Sequence, residues 1–206
     1  MLASIVALVG AAAPAAAQTA ADWEIGPVIH GRNYSAGMPP APSPAARGGW
    51  SFEFSRSPAS HVHYVTYASG PLAGASRIVV RYRVDAARGV GFIAQERPDE
   101  PATVSLVFQR AGDSWSGRRH EFHRWYAPAT TVQPLAPGVH ELAVSLADPG
   151  WISVFGKSVA TQPEAYALAL ERTARVGLVF GSPSARGHGV YATGPARFTL
   201  LGFRVE

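Results

Sequence analysis

Short runs of alternating apolar and polar residues, each ended by glycine or proline, restrict the fold of this sequence more than any other feature. Residues 50–55 alternate three aromatic side chains with Ser and Glu, and residues 77–84 alternate apolar residues with Arg. A period of two places one set of side chains on each face of a β-strand. With 21 Gly and 17 Pro in the chain, these runs predict short strands joined by turns.

The turn signals recur at the spacing typical of antiparallel sandwiches and barrels, and they predict about ten strands. Strands are expected at 23–30, 50–55, 61–67, 77–84, 90–95, 103–109, 120–126, 139–146, 151–155, 175–180 and 197–205. One short helix is predicted at 163–172, where Pro163 precedes good helix formers. Residues 31–49, rich in Pro, Gly and Ala, are predicted to form a long loop or arm. We therefore predict an all-β fold, an antiparallel β-sandwich of the jelly-roll type, in one domain over residues 18–206.

The first 17 residues are small and apolar and carry no charge. Ala15 and Ala17 fit the pattern that signal peptidases cleave, which predicts a signal peptide over 1–17 and a mature chain that begins at Gln18. The apolar stretch is shorter than the roughly 20 residues that span a bilayer, and no other run approaches that length. We expect an exported protein, periplasmic or extracellular, without a membrane span in the mature chain.

Cysteine is absent, so an exported chain of this kind takes no stability from disulfides. The absence also excludes zinc ribbons, cysteine nucleophiles and iron–sulfur clusters. The formal net charge is +4, and 17 of the 18 basic residues are Arg. They are spread along the chain rather than grouped, and an exported location argues against nucleic acid as a partner.

The last third of the chain resembles the end of a jelly-roll carbohydrate-binding module of the galactose-binding-like group. The resemblance rests on residues 137–146, 175–180 and 197–206. It implies a turn that leads into a strand, a short helix before a core strand, and a final strand that runs beside the first. It also implies a polysaccharide or oligosaccharide ligand, although jelly rolls serve many other functions.

Three aromatic residues are candidate ligand contacts. Trp115 lies in a polar turn segment. Trp125 and Tyr126 are adjacent on a predicted strand, so one of the two side chains must face away from the core of the sandwich. An exposed indole or phenol ring offers a flat partner for the C–H face of a sugar. The alternative is that all three rings pack under loops or against the edge of the sandwich.

Arg77, Arg81 and Arg83 share one face of a predicted strand and are candidate contacts for an acidic polysaccharide. If His61 and His63 lie on a nearby strand, the five side chains would line a basic groove. Guanidinium groups offer forked hydrogen bonds to carboxylates. The alternative is a solvated outer face paired with acidic side chains.

Metal binding and cofactors are not expected. His61 and His63, taken with Glu121 and His123, resemble in part the ligand set of cupins, but the spacing departs from that pattern. Structural calcium held by backbone carbonyls is compatible with a jelly roll but is not indicated by any acidic cluster.

Polysaccharide lyase activity is the alternative enzymatic hypothesis. His61, His63, Tyr67, Arg81 and Tyr126 supply the residue types that a lyase needs to act on a uronate. The Arg-Glu-containing and Tyr-Phe-Lys motifs of the alginate-lyase jelly rolls are missing. The leading hypothesis is therefore a non-catalytic glycan-binding module, with a lyase and a structural or assembly protein of the cell envelope as alternatives.

Overall fold

The computed structural model describes residues 19–46 and 48–206. The predicted signal peptide over 1–17 lies outside these residues. Among the helices that the structure describes, none is long and apolar enough to cross a membrane.

Sixteen strands, one α-helix and three short 3-10 helices occur within these residues. The strands are β1 (Trp23–Gly26), β2 (Val28–Ile29), β3 (Arg32–Asn33), β4 (Ser43–Pro44), β5 (Trp50–Glu53), β6 (Tyr64–Ala68), β7 (Arg77–Ala86), β8 (Phe92–Ala94), β9 (Thr103–Arg110), β10 (Arg124–Tyr126), β11 (Gln133–Pro134), β12 (Gly138–Ser145), β13 (Ile152–Ser153), β14 (Thr173–Gly181), β15 (Val190–Ala192) and β16 (Ala196–Val205). The α-helix is α1 (Pro163–Glu171), and the 3-10 helices are Ala20–Asp22, Glu121–His123 and Ala129–Thr131.

Two antiparallel sheets contain most of the strands. The larger sheet has seven strands in the order β1-β6-β14-β9-β10-β13, with β11 paired to β9. The smaller sheet has five strands in the order β12-β7-β16-β5-β4. Between β5 and β9 the chain alternates between these sheets, apart from the β8–β15 ribbon, as jelly rolls do. The prediction of an antiparallel β-sandwich with one short helix is confirmed.

Aromatic side chains from both sheets form the centre of the core. Phe52 and Phe198, on neighbouring strands of the smaller sheet, stack with ring centroids 5.4 Å apart. Phe180 of the larger sheet meets them edge-on at 5.8 and 5.5 Å. Trp50 is fully buried beside them. The aromatic side of the 50–55 alternation therefore faces the second sheet, as a half-buried strand requires.

Helix α1 precedes the central strand β14, as predicted, and begins with proline at its first position. Its inward face carries Tyr166, whose hydroxyl donates a hydrogen bond of 2.8 Å to the carbonyl oxygen of Leu146. The ring of Tyr166 packs edge-on against Trp125 at 4.9 Å. The helix thus anchors the chain between the two sheets just before it enters the larger one.

Two expectations about strand placement are wrong. The final strand β16 lies between β7 and β5, whereas the first strand β1 pairs with β6 in the other sheet. The basic groove predicted from β6 and β7 does not form, because these two strands belong to different sheets. Four strands were also missed: the two-residue strands β3, β4 and β11, and β15, which pairs with β8 to form a separate two-stranded ribbon.

Candidate functional site

A groove of about 590 Å³ lies on the outer face of the larger sheet, opposite the core. Tyr64 and Tyr126 line its floor, and they pack in one cluster with two side chains of the intervening strands, Val107 and Val179. They meet because Tyr64 pairs with Val179 across β6 and β14, and Val107 pairs with Tyr126 across β9 and β10. The residues that alternate with them point into the core, so the same strands build both surfaces.

A hydrogen bond joins the two phenol groups of the floor. The hydroxyl oxygens of Tyr64 and Tyr126 lie 2.8 Å apart. Burial, together with the neighbouring Tyr126, raises the pKa of the Tyr64 phenol well above its ordinary value, although Arg124 acts in the opposite direction. Tyr64 therefore stays protonated at physiological pH and serves as a neutral polar group of the floor.

Trp115 forms one wall of the groove and is held from several sides. Its backbone adopts a φ of +65°, which non-glycine residues rarely do. The carboxylate of Asp113 accepts a hydrogen bond of 2.9 Å from the Trp115 backbone N–H. The Trp115 ring meets Tyr64 edge-on at 5.0 Å, and the guanidinium carbon of Arg124 lies 4.7 Å from its centre. The indole is thus positioned before any ligand arrives.

A buried ion pair connects this wall to the sheet. The Arg124 Nε atom lies 2.7 Å from Asp113 Oδ2, and the two side chains are only 8% and 0% exposed. Gln109 donates a hydrogen bond of 2.9 Å to the same carboxylate oxygen. Arg124 also donates one of 3.0 Å to the carbonyl oxygen of Trp115. These contacts compensate the charge of Arg124 and fix the turn that carries Trp115.

The loop after β14 forms the opposite wall. Arg186 donates a hydrogen bond to the carbonyl oxygen of Ala127. Its Nε atom is buried and makes no hydrogen bond to the described residues, and burial lowers its pKa. Gly187 has a φ of +80°, and a β-carbon there would lie 2.1 Å from the Tyr64 hydroxyl oxygen. Glycine is therefore required where the loop crosses the floor.

His63 lies at the edge of the groove next to this loop. Its Nδ1 atom is 2.6 Å from the Gly187 carbonyl oxygen, so Nδ1 carries the proton and Nε2 is an acceptor. Nε2 is buried and has no hydrogen-bond partner among the described residues. Burial, with a smaller contribution from the charges of His61 and His188, lowers the pKa of His63 to about 4 against the effect of the Gly187 hydrogen bond. His63 is therefore neutral at physiological pH.

The rim of the groove carries two of the most exposed aromatic side chains of the described chain, Phe155 at 57% and Tyr34 at 42%. Arg32 lies over the Tyr34 ring at 5.2 Å. Arg118, also exposed, lines the groove near Trp115. The groove therefore combines aromatic edges with cationic side chains and is open to solvent.

The structure separates the three aromatic candidates. Trp115 and Tyr126 line the groove, whereas Trp125 is fully buried in the core. The Trp125 indole N–H donates a hydrogen bond of 3.1 Å to the Phe122 carbonyl oxygen. Trp125 as a ligand contact is therefore wrong, because adjacent strand positions face opposite sides of the sheet and this one faces inward.

The three arginines of β7 lie outside the groove, on the outer face of the smaller sheet. Arg77 forms an ion pair of 2.6 Å with Glu206, and Arg83 forms one of 2.8 Å with Asp85. Arg81 is exposed on the same face. A role for this face in ligand binding stays a prediction, but it is not part of the aromatic site.

The residues proposed for a lyase are not brought together as a set. His63 and Tyr126 line the groove, and the His61 ring lies 4.6 Å from that of His63. Tyr67 is buried in the core, with its ring 4.7 Å from Trp23, and Arg81 lies on the other sheet. The assignment of Tyr67 and Arg81 to such a site is therefore wrong.

The ligand set that resembled cupins is not assembled either. In the part of the chain that the structure describes, the one cluster of three metal-ligating side chains joins Asp113, His120 and His123. His61 and His63 lie outside this cluster, and the Glu121 carboxylate accepts a hydrogen bond of 3.3 Å from Ser153.

Several residues of the groove were not predicted from the sequence. Arg124 could have been found, because it alternates with Trp125 on a predicted strand and so shares a face with Tyr126. Tyr64 alternates with the core residue Val65 and carries a similar signal. Arg186 lies in a Gly- and Ser-rich loop, where no periodicity indicates its direction.

No protein-family model matches the sequence, and no curated protein was found to be similar to it. Among solved structures, the fold is similar to the crystal structure of a carbohydrate-binding module specific for non-crystalline cellulose, CBM28. The TM-score is 0.43 and the sequence identity 12%, and the match covers 90% of this chain and 87% of that chain. Similarity at this level assigns neither a ligand nor a site to this chain.

Proposed function

We propose that this protein binds carbohydrate in the groove of the larger sheet and acts outside the cytoplasm. The observation that carries the proposal is Trp115, a partly exposed indole fixed on the wall of an open groove by Asp113, Tyr64 and Arg124. A pre-positioned ring loses little conformational freedom when a ligand arrives, so more of the contact energy appears as affinity. Export is supported by the predicted signal peptide over residues 1–17.

The aromatic and polar groups of the groove match the two kinds of surface on a sugar. The C–H face of a pyranose packs on a flat aromatic ring, and Trp115, Tyr34 and Phe155 offer such rings. Sugar hydroxyls both donate and accept hydrogen bonds. His63 Nε2 is an acceptor and Arg186 Nε is a donor, and neither atom has a hydrogen-bond partner among the described residues.

The charges of the groove favour an acidic sugar. Arg118, Arg124 and Arg186 line it, and the charge of Arg124 is compensated by Asp113. Two guanidinium groups therefore remain for a ligand, and guanidinium groups bind carboxylates in a forked geometry. We infer that a polysaccharide with uronate units binds more tightly than a neutral one.

The test is a binding screen of residues 18–206 against neutral and uronate-containing soluble polysaccharides. We expect retention by at least one polysaccharide and a loss of up to roughly tenfold in affinity for Trp115→Ala, since one aromatic stacking contact is worth about 0.5–1.5 kcal/mol. Trp115→Phe, which keeps a ring, should retain part of the affinity. Arg186→Ala should weaken binding of the uronate polysaccharide, and Arg88→Ala, an exposed arginine outside the groove, is its matched control and should bind as the wild type does.

A second candidate function is polysaccharide lyase activity, favoured by His63 and Tyr126 lining one groove together with Arg186. Elimination from a uronate creates an unsaturated sugar end that absorbs in the ultraviolet. A rise in absorbance in the binding wells that is lost in both His63→Gln and Tyr126→Phe would replace the binding proposal with this one. If no polysaccharide is retained and the absorbance does not rise, a structural or assembly role in the cell envelope is favoured.

A further inference from the structure

A compact group of ligand-type side chains lies in the loop between β9 and β10, next to the groove. Asp113, His120 and His123 each offer one ligand atom, and these three atoms lie within 4.8 Å of one another. We propose that these residues bind a divalent transition-metal ion of the Zn²⁺ class, and that the ion braces the turn that carries Trp115. The proposal does not depend on the nature of the groove's ligand.

The two imidazoles are stacked face to face, so one of them would turn about its side-chain torsions to direct its nitrogen at the same ion. Their rings are parallel within 6°, with centroids 4.3 Å apart. The 3-10 helix Glu121–His123 produces this arrangement, because a turn of three residues aligns His123 with the residue three positions before it. His123 Nδ1 is buried and makes no hydrogen bond to the described residues. A buried ring nitrogen without a partner is costly unless something binds there.

The carboxylate of Asp113 is oriented in the way that metal ligands usually are. Its side chain is fully buried, and both oxygens accept hydrogen bonds, from the Trp115 backbone N–H and from Gln109. Such supporting contacts fix a ligand's direction and keep it ionised. Oδ1 also lies 3.8 Å from His120 Nδ1, so it faces the imidazole pair.

The composition of the cluster selects the class of ion. Two imidazoles and one carboxylate suit Zn²⁺ and its neighbours, whereas Mg²⁺ and Ca²⁺ prefer sets made of oxygen atoms. Three protein ligands leave a fourth position of a tetrahedral ion for water. His120 Nδ1 now accepts hydrogen bonds from the backbone N–H and hydroxyl of Ser114, and a metal bond at Nδ1 would replace them. Arg110 and Arg124 lie close enough to His123 to lower the affinity through their charge.

An ion at this cluster would lie next to the turn that carries Trp115. Asp113 contacts the backbone of Trp115 directly and the side chain of Arg124 through the ion pair. An ion that ties Asp113 to the far end of the loop at His123 would therefore restrict the turn between them. Trp115 is the one partly exposed indole among the five tryptophans of the chain, since the other four are buried.

The experiment is a calorimetric titration of the tag-free, chelator-treated protein with Zn²⁺, and with Mg²⁺ for comparison. We expect one Zn²⁺ per chain, no heat with Mg²⁺, and a loss of at least roughly tenfold in affinity for His120→Gln and for His123→Gln. The matched control is the double variant of the other imidazole pair, His61→Gln with His63→Gln, which should retain the wild-type affinity. Absence of stoichiometric Zn²⁺ binding by the wild type, or wild-type affinity in both single variants, would overturn the proposal.

A second measurement on the wild type guards against variants that fail to fold. Substoichiometric Co²⁺ should broaden the imidazole proton resonances of His120 and His123 and spare those of His61. Broadening of His61 first would place the ion elsewhere and overturn the proposal. Zn²⁺ should also shift the tryptophan fluorescence of the wild type more than that of Trp115→Phe, because only the wild type contains the Trp115 indole. An equal shift in the two proteins would overturn the bracing role.

Discussion

The hydroxyl groups of Tyr64 and Tyr126 meet 2.8 Å apart above two strands that separate β6 from β10 in the sheet. Val107 and Val179 on those two strands belong to the same packed cluster as the two rings, so the phenol pair rests on an apolar layer. The phenol pair is therefore both a structural bond across four strands and the deepest polar group that a ligand could contact.

Removing either hydroxyl should destabilise the fold and leave the other without its partner. We expect Tyr64→Phe and Tyr126→Phe each to lower the free energy of unfolding by about 1 kcal/mol, since one buried hydrogen bond is lost. The double variant should lose less than the sum, with a coupling energy of about 1 kcal/mol. Urea denaturation measures all three; additive losses would mean that the two hydroxyls do not interact in solution.

Loss of the buried ion pair between Asp113 and Arg124 should lower the free energy of unfolding far more than loss of an exposed ion pair. Asp113→Ala leaves the Arg124 charge buried and unpaired, and we expect a loss of roughly 3 kcal/mol in the free energy of unfolding. The matched control is Asp85→Ala, whose ion pair with Arg83 is half exposed and should be worth less than about 1 kcal/mol. Equal losses in the two variants by chemical denaturation would contradict this expectation.

His63 should make the protein less stable in acid. Burial lowers its pKa from 6.5 to about 4 in the folded state, so the unfolded chain binds more protons between these two values. Stability therefore falls as the pH is lowered through this window, by on the order of 3 kcal/mol for this residue. His63→Gln cannot take up that proton and should show a flatter decline in the free energy of unfolding. Parallel pH profiles for the two proteins would show that His63 is not the group responsible.

Substitution by alanine should destabilise the protein much more at Trp125 than at Trp115. Trp125→Ala empties a fully buried position and should cost roughly 3–5 kcal/mol of stability. Trp115→Ala removes a partly exposed side chain and should cost at most about 2 kcal/mol. Thermal unfolding distinguishes them, and a larger loss for Trp115 would mean that its ring is chiefly a structural element rather than a wall of the binding site.

Periodicity predicted the sandwich well because each alternating run has one face that must be buried. The 77–84 and 103–109 runs lie wholly in strands, the 50–55 run contains β5 over residues 50–53, and α1 begins at the predicted Pro163. Sheet membership did not follow from the pattern, since alternation gives the buried face of a strand but not its neighbours. The condition for a basic groove, that His61 and His63 lie on a strand near Arg77, Arg81 and Arg83, is for that reason not met: β6 and β7 lie in different sheets.

The groove was predicted only in part for a similar reason. A large ring in a polar turn has no obvious place in a core, which predicts an exposed role for Trp115, and Trp115 does line the groove. Its supports, Asp113 and Arg124, come from a turn and from a strand that meet only after the sheet has formed. The contribution of Arg186 depends on a loop that returns over the sheet, which no local pattern specifies.

The walls and floor of the groove come from parts of the chain far apart in sequence: near 27–34, 63–64, 115–126, 152–155 and 183–188. No fragment of the protein contains the site, and partial unfolding of any one of these segments removes it. Occupancy is therefore linked to the folding equilibrium as a whole, and a ligand at a hundred times its dissociation constant should stabilise the native state by about 2.7 kcal/mol. A melting-temperature screen can for this reason find the natural occupant before its chemical class is known.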